Sequence, residues 1–173
     1  METDRFLIKK LTSKNANKNY LNWFKDSSVK KYIVGAKKNI SLNYLKNYIK
    51  YQNNKRNTLF FGIFNRQYKH IGNIKFDNIS KKKNYVIVGI LIGNKKYRGI
   101  GLTQEIINFF SDFFYKQYKI KNIFLGVDIN NKNAIKAYIK TGFSYSEGKD
   151  HSGVIYMVKK YKIIKKFQTR RIY

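Results

Sequence analysis

The chain contains no cysteine and no proline, and its 173 residues hold only 9 Asp+Glu and 2 His. The missing cysteine excludes disulfide frameworks, thiolate metal sites, iron–sulfur clusters and a cysteine nucleophile. His70 and His151 are the sole imidazoles, so a multi-histidine centre is nearly excluded and no metal is expected. Long apolar runs are also lacking. The longest, Tyr85–Gly93, falls far short of the ~20 residues a membrane-spanning helix needs. The opening METDRFLIKK carries acids where a secretory signal would carry only bases, and no apolar stretch follows. These absences point to a cytoplasmic protein with no membrane partner.

What is abundant is positive charge and apolar surface. There are 37 Lys+Arg, for a formal net charge of +28. Two explanations stand side by side. The charge is a field for an anionic partner such as nucleic acid, ribosome or a phosphorylated substrate. Or it is compositional: a chain saturated with Lys, Asn, Ile, Tyr and Phe reads as A/T-rich coding. That bias would explain the missing proline, of which an average chain this long holds roughly nine. It does not explain why only three of the residues are glutamate. Hydrophobic residues make up 43% and aromatics 17%, enough to build a core and to exclude wholesale disorder. The length fits one domain, expected over residues 1–162, followed by a basic tail over 163–173.

Patterning predicts a mixed order of elements. Arg5–Leu11 reads as a first strand. Asn15–Phe24 reads as a helix with Ala16, Tyr20, Trp23 and Phe24 on one side. Ser27 or Ser28 caps a short helix through Ile33, and Ser41 caps another with Leu42, Leu45, Tyr48 and Ile49 as its stripe. Thr58–Asn65 and His70–Asp77 read as a hairpin, with a basic turn at Ser80–Asn84. Tyr85–Ile92 and Asn122–Val127 read as buried strands. Between them Leu102, Ile106, Phe109, Phe110, Phe113, Phe114 and Tyr118 recur at helical spacing. Asn131–Lys140 reads as a helix stopped by Gly142. Phe143–Ser146 and Val154–Tyr161 close the order as strands. This is a mixed α/β layer structure.

The most informative segment is ILIGNKKYRGIGLTQE, Ile90–Glu105. A strand runs into a glycine-containing turn that opens a long helix. Such a turn gathers backbone N–H groups and the positive end of a helix dipole at one point, a ready site for a pyrophosphate. Gly99 and Gly101 permit positive φ and close approach of a ligand to the backbone. Lys95, Lys96 and Arg98 add mobile positive charge, with Lys132 and Lys136 further along the chain. The turn is no Walker loop, since no Gly-Lys-Ser/Thr follows. It does not match the dinucleotide fingerprint either, since the third glycine is missing.

A second segment, VDINNKNAIKAYIKTGF, Val127–Phe143, sets a strand end, an Asn, a short helix, a Tyr and a Gly-Phe stop in sequence. Together the two segments resemble the acetyl-CoA-binding core of the GNAT superfamily of N-acetyltransferases. YRGIGLTQE looks like its pyrophosphate loop, with Arg98, Gly99, Gly101 and Thr103 in frame; Thr103 stands where a small residue is usual. Asn131, Ala134, Tyr138, Lys140, Gly142 and Phe143 match its second pattern. RFLIKKLTSKNANKNYLNWFKDSSVKKYI is similar to the N-terminal strand and helix pair of the RimL/RimJ-like branch, which acetylates ribosomal proteins. HIGNIKF looks like its third strand. The likeness covers roughly residues 5–160.

The resemblance implies a mostly antiparallel sheet with one splayed parallel strand pair and flanking helices. It implies acetyl-CoA as cosubstrate, with the pantetheine arm lying between Val86–Ile92 and Ile123–Val127. Backbone groups at Ile90, Leu91 and Ile92 would hold that arm and polarise the thioester. The turn from Arg98 through Gly99, Ile100, Gly101 and Leu102 to Thr103 would hold the pyrophosphate, with Lys136 nearby. Asn131 would bond the cofactor arm, and Tyr138 would give a proton to the departing thiolate. Trp23, Phe24 and Tyr32 would line the acceptor pocket. The stretch Val86–Gly89, where relatives often carry an acid, has no titratable side chain. Asp77, Glu147, Asp150 and His151 are the remaining candidates for a general base. The acceptor is expected to be a small-molecule or peptide amine: a nucleotide-linked amino sugar, as the NWFKDSSVKKYI stretch suggests by likeness, or a protein N-terminus. The enzyme is expected as a monomer or homodimer. The rival reading is a non-catalytic basic module that binds nucleic acid or ribosome.

Overall fold

In the computed structural model, residues 1–32, 40–147 and 153–162 are described. Seven strands form: β1 Leu7–Lys10, β2 Leu59–Phe64, β3 His70–Ser80, β4 Tyr85–Ile92, β5 Asn122–Asp128, β6 Ser144–Tyr145 and β7 Val154–Lys160. Helical spacing builds α1 Lys18–Trp23, α2 Ser27–Tyr32, α3 Leu42–Asn54, α4 Leu102–Tyr118 and α5 Lys132–Lys140. The strands form one sheet in the order β1-β2-β3-β4-β5-β7-β6. All neighbours are antiparallel except β4 and β5. This is the mixed α/β sheet with one parallel pair that the resemblance implies.

The two faces are covered unequally. One carries α4, whose Leu102, Ile106, Phe110 and Phe114 sit fully buried against Ile63, Ile74, Phe76 and Val86. Burying each such side chain contributes about 1.5–3 kcal/mol, and Phe76 meets Phe110 and Phe114 at 4.5 and 4.7 Å between centroids. The other face carries α1 and α3. There Leu11, Tyr20, Trp23, Leu45, Ile49 and Phe60 form a second cluster over the β1–β3 end.

Several boundaries differ from the sequence reading. Helix α1 begins at Lys18, because Asn17 takes extended geometry and its side chain accepts from the Tyr20 N–H. Strand β3 runs on to Ser80, with a register shift after Asp77. Ile33, Asp150, His151 and the tail over 163–173 lie outside the described residues.

The larger correction concerns β4 and β5, expected to be buried on both faces. Each buries one. Val86 and Val88 face the α4 core, while Ile87, Ile90, Leu91 and Ile92 are half-buried and Gly89 is exposed. In β5, Ile123, Leu125 and Val127 are buried and Gly126 is exposed. Among the described residues, the second cluster, built from α1 and α3, reaches this stretch only through the half-buried Leu91.

Candidate active site

The parallel pair does not stay paired. β4 and β5 match from Tyr85↔Asn122 to Ile87↔Phe124, and the ladder ends there. Beyond it β4 keeps its antiparallel partner β3 as far as Ile92, and β5 keeps β7 as far as Asp128. The facing edges of Val88–Ile92 and Leu125–Asp128 therefore present backbone groups to a gap rather than to each other. Buried backbone donors and acceptors need partners, so the gap is chemically suited to an extended, amide-containing chain.

At the mouth of the gap lies the glycine turn. Gly99 and Gly101 take φ of +77° and +81°, a region costly for any side-chain-bearing residue. Gly101 caps α4, and the first intrahelical bond is from Glu105 N–H to the Gly101 carbonyl at 3.1 Å. The N–H groups before Glu105 have no carbonyl one turn back. Ile100 and Gly101 are exposed, Thr103 is half-buried and Leu102 anchors the turn in the core.

Arg98 is in the turn but is not a mobile charge. Its Nε donates to the Ile92 carbonyl at 2.9 Å, and its guanidinium also reaches the Gly93 carbonyl, Ser28 Oγ and the Asp26 carboxylate. Burial opposes ionisation of Asp26, but hydrogen bonds from Ser28 and Arg98 prevail and hold its carboxyl below the ordinary value. Arg98 thus ties α2 to the end of β4 and fixes where the turn starts. Lys95 leans on the same carboxylate at 3.6 Å, while Lys96, Lys132 and Lys136 are exposed.

On the other side of the gap, Asn131 caps α5, its Oδ1 accepting from the Ala134 N–H at 3.3 Å. Tyr138 lies half-buried on the inner face of α5, its ring edge-on to Phe143 at 5.6 Å. Burial pushes its hydroxyl up from 10.0 to about 12.

A cavity of about 280 Å³ opens where α1 and α3 meet β4, lined by Tyr20, Phe24, Tyr48, Asn73 and Lys75 together with Gly89, Ile90 and Leu91. Phe24 lines it, as expected, but Trp23 and Tyr32 do not. Trp23 is buried beside His70, and a Cβ at Gly93 would overlap its indole, so it supports the β4 end instead. The Tyr32 hydroxyl donates to the Asn130 carbonyl at 3.1 Å, bridging α2 to the β5–α5 loop. Asp77 sits opposite Ile87, at the last paired position of β4, ion-paired with Lys75 at 2.8 Å and bonded by Thr58. Glu147 is exposed.

Asn73, Lys75 and Arg5 went unnoticed in the sequence. Arg5 bonds Glu105 and donates to the Ile100 carbonyl at 3.0 Å, so the N-terminus braces the turn. The alternation His-Ile-Gly-Asn-Ile-Lys-Phe-Asp puts Asn73, Lys75 and Asp77 on one face of β3, and that polar stripe is the signal that was available.

The family model of the acetyltransferase (GNAT) domain matches residues 5–144, most of the chain. The chain belongs to the GNAT acetyltransferase family. Solved structures share its fold at low identity. RimL, a ribosomal-protein alpha-N-acetyltransferase in complex with coenzyme A, aligns with a TM-score of 0.78 at 9% identity, over 92% of this chain and 96% of that one. The ribosomal-protein-S5-alanine acetyltransferase from Vibrio fischeri aligns at 0.75 and 16%, over 94% and 97%. The spermidine N-acetyltransferase from Vibrio cholerae, in complex with CoA and spermine, aligns at 0.72 and 18%, over 88% and 94%. No curated protein matches the chain. With the family established, the reading as a non-catalytic basic module gives way to that of a GNAT acetyltransferase. Acetyl-CoA is its cosubstrate, and the chain fits it: an open pair of strand edges for the amide-bearing arm, and a turn of two positive-φ glycines for the pyrophosphate. Among the described residues no helix is long and apolar enough to cross a membrane, and no cluster of metal-ligating side chains is present.

Proposed function

We propose that the protein is an N-acetyltransferase that moves an acetyl group directly to a primary amine on a small molecule or peptide. A nucleotide-linked amino sugar is the first acceptor class to test and a protein N-terminus the second. The observation that supports this most is the gap between β4 and β5 with the glycine turn at its mouth and an acceptor-sized cavity on its flank. When bound, acetyl-CoA supplies the activated thioester. Main-chain groups of Ile90, Leu91 and Ile92 hold its arm and present donors to the carbonyl, an arrangement that favours developing negative charge. N–H groups from Gly99 to Thr103 and the dipole of α4 hold the phosphates, with Lys136 adding charge from α5. Asn131 contributes amide donors that its cap does not use.

Tyr138 keeps its proton at Oη throughout the neutral range and gives it to the departing sulfur. No carboxylate lines the cavity among the described residues, so the amine enters uncharged or loses its proton to water.

Two measurements test the reading. Calorimetry is expected to show acetyl-CoA binding to the wild type and none to Gly101→Val, whose β-branched side chain can take neither the φ of +81° nor leave the backbone approachable. An acetyl-transfer screen over nucleotide-linked amino sugars, N-terminal peptides and polyamines is expected to yield a substrate from the first two classes. Absence of binding at millimolar acetyl-CoA would end this proposal.

A further inference from the structure

Apart from the hydroxyls of Tyr20, Tyr44 and Tyr48, the wall of the cavity on the β4 flank is aromatic and aliphatic except at two points, Asn73 and Lys75. They are successive residues on one face of β3, opposite Leu91 and Gly89. Two residues along a strand separate their Cα atoms by about 7 Å, roughly the span of a six-membered ring and one substituent.

Asn73 is buried, with 4% exposure. Its Oδ1 is engaged by His70 Nε2 at 2.8 Å. Its amide nitrogen lies near the Tyr20 hydroxyl but makes no hydrogen bond of good geometry. That nitrogen has no exposed surface, so with His70 it shapes the wall of the cavity rather than meeting an occupant. His70 serves as the prop: burial holds its imidazole below the ordinary value, and packing of Trp23 and Phe64 on its ring fixes it.

Lys75 is half-buried at the same wall. Burial disfavours its charge, but Asp77 and the Tyr48 hydroxyl prevail and keep it protonated. Asp77 does not line the cavity. The one charge at the wall is therefore positive, and no carboxylate lines it among the described residues. Residues 33–39 contain no Asp or Glu either.

We propose that this pocket takes a single amine carried on a ring that bears an anionic oxygen, and that it rejects polycations. Lys75 is the residue that sets this choice, and Asn73 shapes the wall beside it. The inference rests on the acetyltransferase reading above and sharpens its acceptor class. Tyr44 and Tyr48, stacked at 6.3 Å, offer a flat surface for the ring.

Three probes separate the terms: glucosamine 6-phosphate, glucosamine and spermidine. Their kcat/KM values and their calorimetric affinities for the coenzyme A complex are measured on the wild type, Lys75→Met, Asp77→Asn and Asn73→Ala. The phosphate sugar is expected to lead glucosamine, and glucosamine to lead spermidine, each by about tenfold or more. A factor of that size corresponds to about 1.4 kcal/mol, within reach of one partly buried charge. Lys75→Met keeps the aliphatic stem and is expected to cut the phosphate advantage and raise spermidine binding. Asp77→Asn leaves Lys75 charged and is expected to keep or widen the preference. Asn73→Ala is expected to raise KM for both sugars in parallel. Preference for spermidine, equal or absent binding of the three probes, or an unchanged ratio in Lys75→Met overturns the inference. Loss of the ratio in Asp77→Asn as well shows a packing effect and overturns it too. Acetyl-CoA affinity of the wild type, read separately, reports on the acetyltransferase reading itself.

Discussion

Tyr138 is the single side chain to which the proposed proton transfer is assigned. Its ring is held by α5 and Phe143, and burial pushes its hydroxyl up to about 12. The sign follows directly. Below that value the phenol remains protonated and able to donate, so this group introduces no alkaline fall in kcat below about pH 11. Tyr138→Phe is expected to lower kcat by about 10²-fold or more while leaving acetyl-CoA affinity near wild type, because one hydroxyl is lost and the packing is kept. Stopped-flow turnover combined with calorimetry checks both halves. Unchanged kcat with chemistry rate-limiting removes Tyr138 from the proton path. Arg98 teaches a different lesson at this scale. Its place in the motif was readable, but its partners were not: Asp26 and Ser28 lie 72 and 70 positions away along the chain, and only folding brings them to it.

Glu105 shows how elements hold the site. It stands in the first turn of α4 and receives Thr3 Oγ1 at 2.6 Å, the Arg5 N–H at 3.0 Å and Arg5 Nε at 2.6 Å. Burial resists its ionisation, yet these hydrogen bonds from Thr3 and Arg5 prevail and hold its carboxyl below the ordinary 4.5. A depressed carboxyl contributes stability above its unfolded value and loses it as pH falls through the folded one. Glu105→Gln is therefore expected to lower stability by about 1–2 kcal/mol at pH 7, a few degrees in Tm for a chain of this size. The gap to wild type should narrow as pH falls below the ordinary 4.5 and through the depressed folded value. Thermal melts over an acid-to-neutral pH series check this, and a gap that does not narrow on acidification argues against a charge-based brace. The glycine turn, α5 and the succession of strands and helices along the chain were legible because each depends on neighbours in sequence; that Asn131 caps α5 was not read. The half-open character of β4 was not. Tyr85–Ile92 is apolar on both faces, and what leaves Ile87 and Leu91 only half-buried and Gly89 exposed is how far α1 and α3 reach across the sheet, a matter of long-range packing. Asn73 and Lys75 were hidden for the same reason: a polar stripe on a strand reads as a solvated face until a helix roofs it.

At the scale of the molecule, 37 basic residues face 9 acidic ones. The ion pairs among the described residues engage Glu2, Asp26, Asp77 and Glu105, so acids run out long before bases do. The surplus repels itself, and that repulsion opposes the compact state more than the expanded one. Salt screens it: the Debye length falls from about 30 Å at 0.01 M to about 8 Å at 0.15 M. The fold is therefore expected to gain Tm as NaCl rises from about 20 to about 300 mM. The same screening weakens the attraction between the exposed Lys96, Lys132 and Lys136 and the phosphates of acetyl-CoA, so affinity is expected to fall over that range. The two trends run in opposite directions because one reports like charges within the chain and the other opposite charges across the binding turn. Parallel melts and titrations in a salt series check them. A Tm that drops with salt would show that attractive surface pairs outweigh the excess charge. An affinity that ignores salt would show that main-chain donors at the turn, rather than its lysines, hold the phosphates.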